Sequence, residues 1–304
     1  MQRITSCAVG LLACAVLFCP SAEAAVYRDT IVAQNPVAYW RFNDGDTPAG
    51  GSIAAEVGQS ISTALNASGV VEGIAGPNLP GLGANNTAFD YDGSTNAITY
   101  QLTADNGAPS SPMSSNAGST SYWFKRAPGS SMTSILYWGT DSTALIDGFG
   151  SAATTNMLHT WMAADGRIGI YVDGADLRSS TSSPDFVNYL DGQWHHMAAT
   201  WNRATRELAF YIDGGALAGG QTFTLTAANQ WDSFEFTGRH RFGKASFSSS
   251  RFYPGEADEL AIWDRVLSPA EVAAQYDAAV VPEPASMALL GLAGFGLLAR
   301  RRRA

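Results

Sequence analysis

Cysteine is scarce: the 304 residues contain 3, at Cys7, Cys14 and Cys19. All precede residue 25, so removal of the leader described below leaves no thiol, which excludes both a disulfide framework and a cysteine-based zinc site. Basic side chains are few as well, 18 Lys and Arg against 27 Asp and Glu, for a formal charge of −9. Arg3 and Arg300–Arg303 are 5 of those 18 and Glu23 and Glu283 are 2 of those 27, which leaves 13 basic and 25 acidic residues between the two ends. That acidity opposes nucleic acid, which selects basic surfaces, and suits cations and solubility. Apolar runs that could span a bilayer are missing too, since Ala8–Phe18 and Ala285–Ala299 both fall short of the ~20 residues required. There is no Gly-x-Ser-x-Gly elbow, P-loop or HExxH helix.

Both ends read as processing signals. Met1-Gln-Arg3 supplies a positive start, Ala8–Phe18 an apolar stretch, and Ala22-Glu-Ala24 small residues at the positions a signal peptidase reads. A signal peptide over 1–24, cleaved after Ala24, is the expectation. Leu11-Leu-Ala-Cys14 loosely matches a lipobox, but the apolar run before it is too short. Without disulfides the 25–280 domain depends on its core, and a chain of that length buries about three quarters of its unfolded surface.

Between the ends, short runs of Tyr, Phe, Trp, Ile and Thr alternate with clusters of Gly, Asn, Asp, Pro and Ser, which predicts strands and turns. Leu208-Ala-Phe-Tyr-Ile-Asp-Gly-Gly215 runs an apolar strand into Asp-Gly, and Ile168-Gly-Ile-Tyr-Val-Asp-Gly174 repeats the device. Both predict tight hairpins. Trp194 and His196 should face one side of a strand, His195 and Met197 the other, and Trp201 and Tyr211 should be core. Ala108–Thr120 and Ser246–Ser250 read as loops. The one predicted helix covers 268–278: Ser268-Pro-Ala-Glu271 supplies an N-cap, a proline at the first position and the returning Glu of a capping box, and Val272 and Tyr276 then share a face. One all-β domain of two packed antiparallel sheets with a single short C-terminal helix is expected.

Four stretches carry a family resemblance. Asp191-Gly-Gln-Trp-His-His-Met-Ala-Ala-Thr-Trp-Asn202 with Tyr211-Ile-Asp-Gly214 resembles the signature of laminin-G-like, concanavalin A-like domains of bacterial surface proteins. Val37–Asn43 resembles their opening strand, Ala88–Gly93 an early core strand, and Gly255–Trp263 with Leu267–Glu271 the closing strand and helix. The resemblance spans about 26–279 and implies a jelly-roll sandwich of roughly a dozen strands. At the C-terminus, Pro282-Glu283-Pro284, the apolar Ala285–Ala299 and Arg300, Arg301, Arg302 and Arg303 resemble the PEP-CTERM sorting signal of Gram-negative bacteria. The prolines keep the triplet extended. About 15 apolar residues reach only ~22 Å as a helix, enough to halt export, and the arginines hold the end in the cytoplasm. The resemblance implies Sec export, transient membrane association and processing by an exosortase at an exopolysaccharide-producing surface; a permanent single-span anchor is the alternative.

Related jelly rolls hold one calcium between opening and closing strands, so the resemblance nominates Asn43, Asp44, Asp46 and Asp258 as ligands. Around Gly45, the first two acids also suit an ordinary turn. His195 and His196 point to opposite strand faces and cannot share an ion, and His159 and His240 have no partner at ligand spacing. Glycosidases on this scaffold set alternating carboxylates on one strand; Glu256-Ala-Asp-Glu259 is the near match, with its last acid expected on the wrong face. Trp138, Trp161 and Trp231, each beside turn-forming or polar residues, are the candidates for stacking on sugar rings. The expectation is a non-catalytic surface or matrix protein binding a glycan or a surface protein, with a carbohydrate-active enzyme and a purely structural component as alternatives.

Overall fold

Short turns fold the strands back on themselves, and two large antiparallel sheets result. The computed structural model describes residues 25–43, 52–53, 55–58, 61–62, 70–94, 98–100, 116–129, 133–139, 157–172, 175–217, 220–221, 240–243 and 252–281. In chain order the strands are β1 (Ala38–Trp40), β2 (Ser52–Ile53), β3 (Ile61–Ser62), β4 (Val70–Ala75), β5 (Thr87–Asp92), β6 (Ile98–Tyr100), β7 (Ala117–Lys125), β8 (Thr133–Gly139), β9 (Met157–Met162), β10 (Ile168–Val172), β11 (Ala175–Ser179), β12 (Trp194–Asn202), β13 (Glu207–Ile212), β14 (Gly215–Ala216), β15 (Gly220–Gln221), β16 (His240–Phe242) and β17 (Pro254–Trp263). Helix α1 is Ala25–Ala33 and α2 is Pro269–Val280.

One large sheet runs β14-β13-β12-β7-β17-β5-β4, with β1 also on β17; the other runs β15-β11-β10-β9-β8-β16-β6; β2 and β3 pair as a separate small ribbon. The β13–β14 turn places Asp213 and Gly214 at φ 51° and 76°, the double positive φ of a type I′ hairpin. Val172 pairs with Ala175 across the other predicted turn, whose Asp173 and Gly174 lie outside the described residues.

Two cores flank the first sheet. Trp40, Phe89, Tyr122, Phe124, Met197, Trp201 and Ile262 meet Met162, Ile168, Ile170 and Leu177 of the second sheet, and Tyr122 Oη bonds Thr160 Oγ1 across that interface at 2.6 Å. On the opposite face, Tyr39, Trp123, Ala198, Tyr211 and Trp263 pack under Tyr27 and Ile31 of α1 and Val272 and Ala279 of α2. The central strands are therefore covered on both sides. Alternation along β12 is as expected: Met197 joins the intersheet core while Ala198 and Trp194 lie on the helix side.

The capping box of α2 forms: Glu271 N donates to Ser268 Oγ at 3.2 Å and Ser268 N to Glu271 Oε2 at 2.8 Å. The helix extends to Val280. Helix α1 corrects the expectation of a single helix, because Val26, Tyr27, Thr30, Ile31 and Val32 carry the composition of a strand. Tyr27 and Ile31, one turn apart, are fully buried; each such burial contributes roughly 2 kcal/mol, more than a nine-residue helix lacks by itself. Trp263 Nε1 and Arg265 Nη2 donate to Gln34 O just beyond its end, at 3.1 and 2.8 Å. A second correction concerns Ala117–Thr120, read as loop but forming the start of β7. Ser119 Oγ there donates to Arg265 O and accepts from Leu267 N, both at 2.8 Å, so a buried hydroxyl is fully partnered inside a strand.

Candidate functional site

The acid-bearing strand β17 does not alternate simply. Its pairing with β7 slips between Asp258 and Ala261, and Glu259 stands in the left-handed region at φ 57°. This β-bulge admits one extra residue. Glu259 is thereby returned to the helix-facing side that Asp258 already occupies, where it accepts from Tyr39 Oη and from Arg41 Nε at 3.1 Å. The expected opposite-face placement is corrected. Asp258 accepts from Asn86 Nδ2 at 2.6 Å and from the Glu259 amide at 2.8 Å. Both carboxylates are fully buried. Burial first, then the charge of Glu259, pushes Asp258 well above the ordinary carboxylate range; burial also raises Glu259, against the pull of Arg41. Both carboxylates are thus sealed from solvent beneath the helices.

Of the nominated calcium ligands, Asp44 and Asp46 lie outside the described residues. Asn43 and Asp258 converge on adjoining residues of one segment: Asn43 Oδ1 accepts from the Thr87 amide at 2.6 Å, and Asp258 from Asn86. Among the described residues, Asn86 Oδ1 beside Asp258 is buried without a partner. An orphaned amide oxygen next to a carboxylate suits a hard cation, as does the charge of the cluster, two carboxylates against Arg41. The two side chains supply only part of the six to eight oxygens that calcium takes. Among the described residues no group of three or more His, Cys, Asp or Glu side chains is placed to hold a metal ion.

The histidines separate as predicted. His195 lies between Asp213 and Asp191, with Nδ1 2.8 Å from Asp213 Oδ2 and Nε2 3.2 Å from Asp191 Oδ1. Although burial opposes it, these carboxylates raise the His195 pKa. His196 is enclosed by Trp123, Tyr27 and Tyr276 and burial lowers its pKa to about 4.

Of the nominated tryptophans, Trp138 and Trp161 lie on the described strands β8 and β9. Trp161 is only 1% exposed and lies against Gly169 of the neighbouring strand, on the face turned away from the Thr160–Tyr122 contact; as a sugar-stacking residue it is a correction, because a turn-flanked tryptophan was here covered by the fold. Trp138 sits in β8 paired with His240 and Leu158. Trp231, Pro282, Glu283, Pro284 and Arg300–Arg303 lie outside the described residues. Missed in the sequence was Trp194, half-buried at the start of β12, with Lys125 Nζ 5.9 Å from its ring centre. Only the pairing of β7 with β12 reveals that neighbour. A cleft of about 580 Å³ also opens between β12, β13 and the start of α2, but the Ser268 hydroxyl on its rim is engaged with Glu271.

Two antiparallel sheets face to face, helices over one of them, and closing-strand carboxylates Asp258 and Glu259 sealed beneath those helices define a jelly-roll sandwich. The chain belongs to the concanavalin A-like lectin/glucanases superfamily, whose profile matches residues 92–273. Residues 280–303 match the PEP-CTERM protein-sorting motif, the mark of an exported, surface-associated protein. A Mus musculus sushi, von Willebrand factor type A, EGF and pentraxin domain-containing protein is 33% identical over 104 residues, 34% of this chain and 3% of that protein. Pentraxin-4 of Homo sapiens is 32% identical over 94 residues, 28% of this chain and 18% of its own length. The chain thus spans a small part of these relatives. Among solved structures, Trypanosoma rangeli sialidase in complex with sialic acid superposes at TM-score 0.52 and 11% identity, covering 80% of this chain and 33% of that one. That likeness shows the fold alone.

Proposed function

We propose that the protein is a non-catalytic glycan-binding module of the cell surface or extracellular matrix, exported through Sec and processed by an exosortase at its C-terminal motif. Membership of a lectin and glucanase superfamily supports carbohydrate as the ligand class, and the sorting motif supports the address. The observation that carries the non-catalytic reading is the sealing of Asp258 and Glu259, held by Asn86, Arg41 and Tyr39 with no exposure to a substrate. Most retaining and inverting glycosidases use two carboxylates flanking an accessible sugar. Calcium at Asp258 belongs to this reading as a structural cation that would neutralise the buried acids. The test is a glycan array probed with the exported protein in calcium and in chelator, beside a reducing-sugar assay on the glycans bound. Saturable binding with no sugar released is expected; release of reducing ends would establish an enzyme, and silence on every glycan would leave a protein-binding or structural role.

A further inference from the structure

Next to the helical layer, the first sheet exposes a row of side chains that crosses five strands. Cross-strand pairing sets Trp194 of β12 opposite Lys125 of β7, Lys125 opposite Glu256 of β17, Glu256 opposite Asp90 of β5, and Asp90 opposite Val71 of β4. Paired residues share a face, and neighbouring strands are ~4.8 Å apart, so Trp194 and Asp90 stand roughly 14 Å apart along a line across the sheet. Val71 is 58% exposed and the other four are partly exposed. Lys125 Nζ binds Glu256 Oε1 at 2.8 Å and lies near the Trp194 ring. Among the described residues one position is unbalanced: Asp90 and Glu256 are like charges directly opposite each other, an unfavourable pairing, and Lys125, which also attracts Asp90, is bonded to Glu256. Burial and then Glu256 push Asp90 upward.

We propose that this row binds a saccharide chain carrying free amino groups. The indole of Trp194 offers an apolar face to a sugar ring, the Lys125–Glu256 pair offers donor and acceptor to hydroxyls, and an ammonium group between Glu256 and Asp90 relieves their repulsion through charge-assisted hydrogen bonds. Polyanionic glycans are disfavoured by the same two acids and by the net charge of −9 on the chain. The site rests on the glycan-binding reading above and adds its location and ligand class.

Calorimetric titration of the exported protein with oligomers of glucosamine, N-acetylglucosamine, glucose and galacturonic acid tests this. Glucosamine oligomers should bind at least about tenfold more tightly than the acetylated ones, with the advantage falling as salt rises. Asp90→Asn should remove that advantage while keeping the thermal midpoint, and Trp194→Ala should weaken every sugar that binds. Equal affinity for acetylated and free-amine oligomers, or an amine preference unchanged in Asp90→Asn, overturns the amine assignment. Sugar binding that survives Trp194→Ala overturns the location and leaves the glycan-binding function standing. No binding to any oligomer overturns both.

Discussion

His195 and His196 are joined by one peptide bond and titrate in opposite directions: the first is held by Asp213 and Asp191 and raised, the second is enclosed among Trp123, Tyr27 and Tyr276 and lowered to about 4. Strand pleat sends one ring toward the sheet interface and rim, and the other under the helices. Opposite pH dependences follow.

For His196 the folded state resists protonation and the unfolded chain, with a histidine near 6.5, does not. The unfolded state therefore binds more protons between pH 6.5 and about 4, so stability should fall as pH drops through that window, by on the order of 3 kcal/mol in total. Asp213, Tyr27 and Tyr276 are the ionisable groups that face it. Melting curves of His196→Phe should show a shallower acid limb than wild type over this interval; identical limbs would assign it to other groups.

His195 carries the reverse sign. Its folded pKa is raised, so its contribution is fully present below about pH 6.5 and is lost as pH rises through the folded value. His195→Gln should lower the thermal midpoint more at mildly acid than at alkaline pH. A loss independent of pH would mean that the ring packs and its charge does not matter.

The sealed acids respond differently to neutral replacement. Glu259→Ala strips Arg41 and Tyr39 of their buried partner and should cost roughly 3 kcal/mol. Asp258→Asn should cost within about 1 kcal/mol, because Asn86 can turn its amide to present the orphaned Oδ1 to the new donor. Calcium should raise the melting temperature of the wild type and leave Asp258→Asn unmoved; a calcium response retained in that variant would place the cation elsewhere.

Gly81 marks where the chain passes beneath the last turn of α2. A Cβ there would lie 1.8 Å from the Ala278 carbonyl oxygen and 2.8 Å from its carbon, backbone atoms that cannot swing aside. Gly81→Ala should displace α2 and destabilise the protein by more than about 2 kcal/mol, visible as early loss of protection of α2 amides in hydrogen exchange. Unaltered protection would show that the loop yields instead.

Features encoded within a few consecutive residues were legible in the sequence. Ser268 and Glu271 cap α2 because N-cap and returning acid are three positions apart, and Asp213-Gly214 turns because both tolerate positive φ. Helix α1 was not legible, since Val26, Thr30 and Val32 favour a strand and only contact of Tyr27 and Ile31 with the sheet reverses that preference. Nor was the face of Glu259: nothing about a glutamate announces a left-handed bulge residue. The burial of Trp161 was not legible for the same reason, because exposure belongs to what packs over a ring, and that covered Trp161 while leaving Trp194 at a half-open margin.

By itself, then, the sequence determined the sorting motif, the thiol-free acidic composition, the strand-and-turn rhythm and the capped closing helix, all of which are properties of neighbouring residues. Tertiary structure alone decided that Asp258 and Glu259 share one sealed face, that α1 is a helix, and that Trp194, Lys125, Glu256 and Asp90 stand in line. Each depends on contacts between segments far apart in the chain, whose register is set when β7, β12 and β17 pair and the helices bury the far side of their sheet.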